Sequence, residues 1–263
     1  RMIFERDWDG LAGTLLLIPV VNLLAFMNHD RELPDGRDLN RMFPGSPTGS
    51  SANRVAYLIY THVVSQSDFG IDLHTAGRGR TNYPHVRGDL SDPKVRRMAK
   101  AFGADIVLDG ISIPNSLRGT ATTNGIPVIT FEAGEPLKFQ RECIEYALWG
   151  LRNVLIEQGM LPGLQCVWRE PLVFKRTKWV RAERGGIVDL IARPGQCVRE
   201  GQILATIHTP FGREVAHAIA PFDALVIGQT TIPTLHPGDP LYHLGRLDDR
   251  VAELVASPLP LIV

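Results

Sequence analysis

Apolar and polar positions alternate along this chain in blocks that predict its elements. Residues 14–21 form a continuous apolar, β-rich run, the pattern of a strand covered on both faces. Residues 22–50 are polar and rich in Pro, Gly, Asp and Arg, and a loop of that length in a compact domain is usually functional or disordered. Apolar residues then recur at Ala52, Val55, Ala56, Ile59 and Val63, a helical spacing that predicts a helix over 50–65. Residues 69–73 predict the next strand, and the irregular 75–89 predicts a second loop. Asp92 before Pro93 predicts an N-cap and a first helical position, opening a helix through Val95, Met98, Ala99 and Phe102. A short strand at 105–108, a third loop at 110–125 and a strand at 126–131 follow. An amphipathic helix over 138–158 stops at Gly159. Strands alternating with helices predict an α/β sheet covered on both faces. Its long loops should gather at the carboxyl ends of the strands, where ligands bind.

The pattern changes after Leu161-Pro162-Gly163. Residues 172–244 carry short β-type runs and many turns but no helical spacing. A weak repeat is present: Gly186-Ile187-Val188 resembles Ala224-Leu225-Val226, and Gly201-Gln202-Ile203-Leu204 resembles Gly238-Asp239-Pro240-Leu241, at offsets of 38 and 37. Two near-equal β units predict a small sandwich with pseudo-twofold symmetry. Such sandwiches can carry biotin or lipoate on a hairpin lysine, but no lysine follows Lys178, which excludes a carrier role. Residues 248–263 predict a short helix and a Pro-containing tail. Residues 1–8 read as the end of a helix already under way, so the sequence is expected to begin inside a domain.

Composition narrows the classes. The 263 residues suffice for one large domain or two smaller ones, and 44% hydrophobic with 21% charged residues fits a soluble globular protein. Lys+Arg and Asp+Glu are both 28, so no nucleic acid and no anionic membrane is expected as partner. Cys143, Cys166 and Cys197 are odd in number and widely spaced, forming neither a metal knuckle nor a disulfide framework, so a reducing, cytoplasmic setting is expected. The longest apolar run, 15–25, is broken by Pro19 and Asn22 and is too short to span a bilayer, and no signal peptide is expected.

Candidate chemistry gathers at a few positions. His74 ends an apolar strand-like run, which suits a metal ligand, although a lone histidine there is more often a hydrogen-bonded core residue. Asp72 lies two residues earlier on the same strand face and could orient that imidazole, or simply cap or meet solvent. Asn40-Arg41 suits a carboxylate clamp, through the planar guanidinium fork and a neutral donor, or a polar surface loop. Arg31 and Arg37 lie in the same loop, partly offset by Asp35 and Asp38. Glu132 follows an apolar strand and could act as a general base or point into solvent. His29 and Glu32 match H-x-x-E, a spacing that can bring zinc ligands together, but their surroundings are polar and end in a turn. Arg78, Arg80, Tyr83, His85 and Arg118 fall in predicted loops that could line a pocket.

These residues together resemble the succinylglutamate desuccinylase/aspartoacylase family, within the zinc carboxypeptidase clan. The resemblance is carried by Val20-Val21-Asn22, by Asp35-Gly36-Arg37-Asp38-Leu39-Asn40-Arg41-Met42-Phe43-Pro44-Gly45, by Asp72-Leu73-His74-Thr75 and by residues 125–134 around Glu132. It implies a mixed sheet covered by helices, with an N-terminally incomplete catalytic domain at 1–163. It further implies an all-β barrel-sandwich (biotinyl/lipoyl-like) domain at 164–246 and a tail at 247–263. His74 matches the third zinc ligand, and Asn40 and Arg41 the pair that holds the substrate carboxylate. Arg31 matches an arginine that polarises the scissile carbonyl, and Glu132 matches the general base and proton shuttle. The family's other two zinc ligands lie in an H-G-x-E type motif upstream of the run that is here 14–21. No such motif precedes it, so these ligands are expected before Arg1.

The implied activity is zinc-dependent hydrolysis of a linear amide, removing the acyl group of an N-acyl amino acid or related small carboxylate. N-acetyl-2,4-diaminobutyrate is one testable substrate. Carboxypeptidase-type peptide hydrolysis and a non-catalytic carboxylate-binding protein are the alternatives, and a homo-oligomer stays open.

Overall fold

The computed structural model describes residues 8–167 and 170–247. The first part of the chain supplies α1 (Leu23–Met27), α2 (Ser51–His62), β1 (Gly70–His74), β2 (Arg80–Gly88), α3 (Pro93–Phe102), β3 (Ile106–Asp109), α4 (Leu117–Thr123), β4 (Val128–Gly134) and α5 (Arg141–Glu157). Thereafter it is all β: β5 (Leu172–Phe174), β6 (Thr177–Arg181), β7 (Gly186–Leu190), β8 (Cys197–Val198), β9 (Ile203–His208), β10 (Glu214–Ile219), β11 (Ala224–Thr230), β12 (Thr234–Leu235) and β13 (Pro240–Arg246). The expected tail and the expected N-terminal helix end fall on 248–263 and 1–7, outside the described residues.

The α/β reading holds, with a large mixed sheet. Its main path runs β1-β4-β2-β11-β13-β6, with β3 beside β2 and β5 beside β3. β1 and β4 are parallel, β4 and β2 antiparallel, β2 and β3 parallel. Successive residues of β4 point to opposite faces. Ile129, Phe131 and Ala133 face α3 and α5, where Val95, Met98, Phe102 and Val154 close the core. Val128 faces Ala121 of α4 and Val64 after α2. Thr130 and Glu132 share the face of Val128, so the strand buried on both sides carries its polar residues on one of them.

Local chemistry explains the helices. Asp92 accepts from the Lys94 N–H at 2.7 Å, Pro93 opens α3, and Gly103 ends it at φ +81°. Gly150 lets α5 approach α3 closely, since a Cβ there would stand 2.3 Å from the Phe102 ring.

Three expectations need correcting. Residues 14–21 pair with no strand. Leu16 is 50% exposed, and the run lies along a groove of about 1950 Å³ beside β1, which ends the main strand path. Apolar character records a tendency to be buried, whereas a strand needs a partner edge. Residues 75–89, read as a loop, contain β2. Pro84 hid it, because proline in a central strand removes a ladder hydrogen bond; a register shift between Asn82 and His85 accommodates it. The third loop contains α4, seven residues capped by Ser116.

The C-terminal β region forms a two-sheet packing and no closed barrel among the described residues. A four-stranded sheet, β10-β9-β7-β12, packs on the β11 and β13 end of the large sheet. Val188, Leu204 and Ile207 meet Val226, Tyr242 and Leu244 in one core. The repeat seen in sequence falls on two antiparallel pairs, β7 with β9 and β11 with β13, one in each sheet. The ladder between β11 and β2, with Gly228 opposite Asn82, carries the large sheet across residue 163.

Candidate active site

Parallel pairing of β1 with β4 puts His74 opposite Glu132, and antiparallel pairing of β4 with β2 puts Glu132 opposite His85. Asp72, His74 and Glu132 thereby share one sheet face. The Asp72 carboxylate and His74 Nε2 are 2.8 Å apart, the i, i+2 relation read from sequence. Burial pulls the His74 pKa down, but the Asp72 carboxylate, its hydrogen bond and Glu132 outweigh it, and the net shift is upward.

Glu132 is held from β2. Asn82 Nδ2 donates to Oε2 at 2.7 Å, and Arg87 Nε stands 3.1 Å from Oε1 as an ion pair. His85 is fully buried, with Nδ1 2.7 Å from the Tyr83 carbonyl, which can only accept. Nδ1 therefore carries the proton, and Nε2 accepts from Arg87 Nε at 3.3 Å. Desolvation pushes the His85 pKa down to about 4, so the ring is neutral at pH 7.

The loop carrying the other candidates is tied down by its own polar groups. Asp38 Oδ1 accepts from the Asn40 N–H at 2.9 Å, while Oδ2 takes Arg31 Nε at 3.1 Å and Nη2 at 2.9 Å. Arg41 Nη1 donates to the Asn40 carbonyl at 2.6 Å. Asn40 Oδ1 accepts from the Leu117 N–H at 2.8 Å, fastening the loop to the start of α4 and leaving the Asn40 NH₂ as its remaining donor.

Arg31, Asn40, Arg41, Asp72, His74 and Glu132 all line one cavity of about 200 Å³. Arg87 and Arg118 line it too. Burial and the neighbouring Arg87 charge lower the Arg118 pKa, opposed by Glu132, Asp72 and Asp89. Arg118 and His85 were legible only as polar residues in predicted loops. Asn82 and Arg87 were missed, because the strand that aims them at Glu132 was read as a loop. His29 and Glu32 are not among the residues lining this cavity.

No cluster of three or more His, Cys, Asp and Glu is placed to hold a metal among the described residues. His74 is the one imidazole among the residues that line the cavity, short of the three protein donors usual for a catalytic zinc. The described residues therefore do not by themselves fit a zinc site.

A family model described as the succinylglutamate desuccinylase/aspartoacylase catalytic domain matches residues 3–157, more than half of the chain. The chain belongs to that family. N-alpha-acetyl-L-2,4-diaminobutyric acid deacetylase of Halomonas elongata is 28% identical over 212 residues, covering 76% of this chain and 62% of the relative. The chain thus spans less than two thirds of that relative's length. The product-bound ectoine utilization protein EutE (DoeB) of Ruegeria pomeroyi superposes with a TM-score of 0.85 at 24% identity, over 94% of this chain and 79% of the other. A succinylglutamate desuccinylase/aspartoacylase of Rhodobacter sphaeroides gives 0.77 at 24% identity, over 88% and 74%. At these identities the structural likeness is one of fold.

Proposed function

We propose that this protein is an amidohydrolase that removes the acyl group from an N-acyl amino acid or related small carboxylate. One observation carries the reading: Glu132 and His74, neighbours across β1 and β4, open into one cavity with Arg31, Asn40 and Arg41. In this reading Glu132 takes a proton from the attacking water as its oxygen bonds to the amide carbon. The C–N bond then breaks, and Glu132 returns the proton to the leaving amine. Arg31 stabilises the oxyanion, a contribution of about 3 kcal/mol for one such donor. Asn40 and Arg41 fix the substrate carboxylate, so orientation lowers the barrier as well. A cavity of about 200 Å³ favours a small substrate over a peptide.

Zinc belongs to this proposal as the cofactor the family resemblance implies, with His74 as a donor. Metal analysis tests it: stoichiometric zinc that His74→Ala removes supports the assignment, and zinc-free protein with ligand binding intact favours a carboxylate-binding protein. We retain in the same reading the division into 1–163 and 164–246, a barrel-sandwich kinship for the latter, and a reducing, cytoplasmic setting. The activity is tested on purified protein with a panel of N-acyl amino acids that includes Nα-acetyl-L-2,4-diaminobutyrate, the substrate named for the Halomonas relative. Release of free amine by the wild type and not by Glu132→Gln supports the reading. Equal turnover by both proteins would sink it.

A further inference from the structure

Glu132 has two oxygens with different surroundings. Oε2 accepts from Asn82. Oε1 lies 3.1 Å from Arg87 Nε, yet the hydrogen on that nitrogen points elsewhere, to His85 Nε2 at 3.3 Å. Among the described residues no hydrogen bond reaches Oε1. A general base needs this arrangement: a carboxylate kept charged and oriented, with one lone pair left open to take a proton.

His85 is where the arrangement is decided. The Tyr83 carbonyl fixes the proton on Nδ1, so Nε2 can only accept. The ring is fully buried, has no room to turn toward solvent, and sits opposite Glu132 in the ladder. An Arg87 guanidinium without this acceptor would aim its Nε–H at the nearest one remaining, Glu132 Oε1. We propose that His85 is a positioning residue that draws the Arg87 Nε–H away from Glu132 and so keeps the base oriented but uncapped. The consequence for chemistry rests on the reading of Glu132 as the base; the hydrogen bond itself does not.

The test separates the two. His85→Phe keeps an aromatic ring and removes the acceptor, whereas His85→Gln restores an acceptor oxygen. For His85→Phe we expect kcat to fall by about tenfold to a hundredfold, the scale of a misplaced catalytic group. KM should stay within about twofold, since no substrate contact is removed. His85→Gln should regain most of the loss. Adding Arg87→Met to His85→Phe should cost less than the two single losses multiplied, because the capping group has gone. A purely structural role predicts additive losses. Thermal unfolding of each variant identifies any that lose activity by failing to fold; such a variant is replaced by His85→Leu.

Turnover is not the only readout. Nitrogen-15 NMR of the full chain should give a through-hydrogen-bond coupling between Arg87 Nε and His85 Nε2, and a slowly exchanging Arg87 Nε–H. A coupling in a protein that hydrolyses no amide supports the positioning role and overturns the hydrolase reading. Absence of the coupling, or full kcat in a folded His85→Phe, overturns the proposal.

Discussion

The site end of the large sheet and the C-terminal β region bury polar groups in opposite ways. At the site, side chains answer side chains: Asn82 and Arg87 hold Glu132, and Asp72 holds His74. In the β region the backbone answers. The Tyr242 hydroxyl lies 2.7 Å from the Leu204 carbonyl and 3.2 Å from that of Ala192, inside a core of aliphatic side chains. Two groups there are exceptions: His243, buried and stacked on Trp179 at 4.8 Å, has no hydrogen-bond partner for Nδ1 among the described residues, and buried Gln229 Oε1 has none either. The difference teaches that burial alone does not mark a site. A network of mutually held charges bordering a cavity is the sharper criterion, because such groups stay charged only where each has a counterpart.

The largest effect should break the site and spare the rest. Glu132→Gln should lower kcat by about a thousandfold or more if Glu132 is the base, and thermal unfolding should move little. A comparable loss of the folded state would make Glu132 structural instead.

Acid should strike both regions. His85 falls from 6.5 to about 4 and His243 to about 3, both mainly through desolvation. The unfolded chain therefore binds more protons between the two values. The stability from keeping each ring neutral is complete above pH 6.5 and drains away as pH falls toward 4 for His85 and toward 3 for His243. The cost for His85 is on the order of 3 kcal/mol. His74 runs the other way: its pKa is raised, so its contribution is present below 6.5 and is lost as pH rises through the folded value. Denaturant unfolding at pH 7.5, 6 and 4.5, followed by tryptophan fluorescence, checks the sum. Unchanged midpoints between pH 6 and 4.5, where the His74 contribution is constant, would mean that His85 and His243 are not held neutral.

A third change sharpens the contrast from the other side. Tyr242→Phe removes the hydroxyl from two buried carbonyls and should cost about 1–3 kcal/mol in denaturant unfolding, with kcat and KM unchanged below the transition. A kinetic effect without a stability effect would tie the β core to the chemistry. The smallest change tests the clamp. Arg41→Lys keeps the charge and loses the fork, and KM should rise about fivefold to tenfold, roughly 1 kcal/mol, with kcat retained. An unchanged KM would remove Arg41 from substrate binding.

Much of this protein was legible in order along the chain. Helical spacing at 50–65, the Asp92-Pro93 start and the Gly159 stop correspond to α2, α3 and α5, because caps and amphipathic faces are local properties. The strand end at His74 was visible for the same reason, since an apolar run ending in a polar residue needs no knowledge of its partner, whereas β4 runs two residues past Glu132, to Gly134. The Asp72–His74 contact followed from a period of two.

What the sequence could not supply was pairing. The run at 14–21 has the composition of a strand and pairs with none, while β2, interrupted by Pro84, forms the ladder that holds Glu132. His85, Arg87 and Asn82 acquire their roles only when β2 lies antiparallel to β4, bringing them onto Glu132 some 50 residues away. Sequence thus determined which segments could form and which side chains could carry charge. Tertiary structure decided which charges meet, because hydrogen-bond register between strands distant in the chain is fixed by packing and not by local preference.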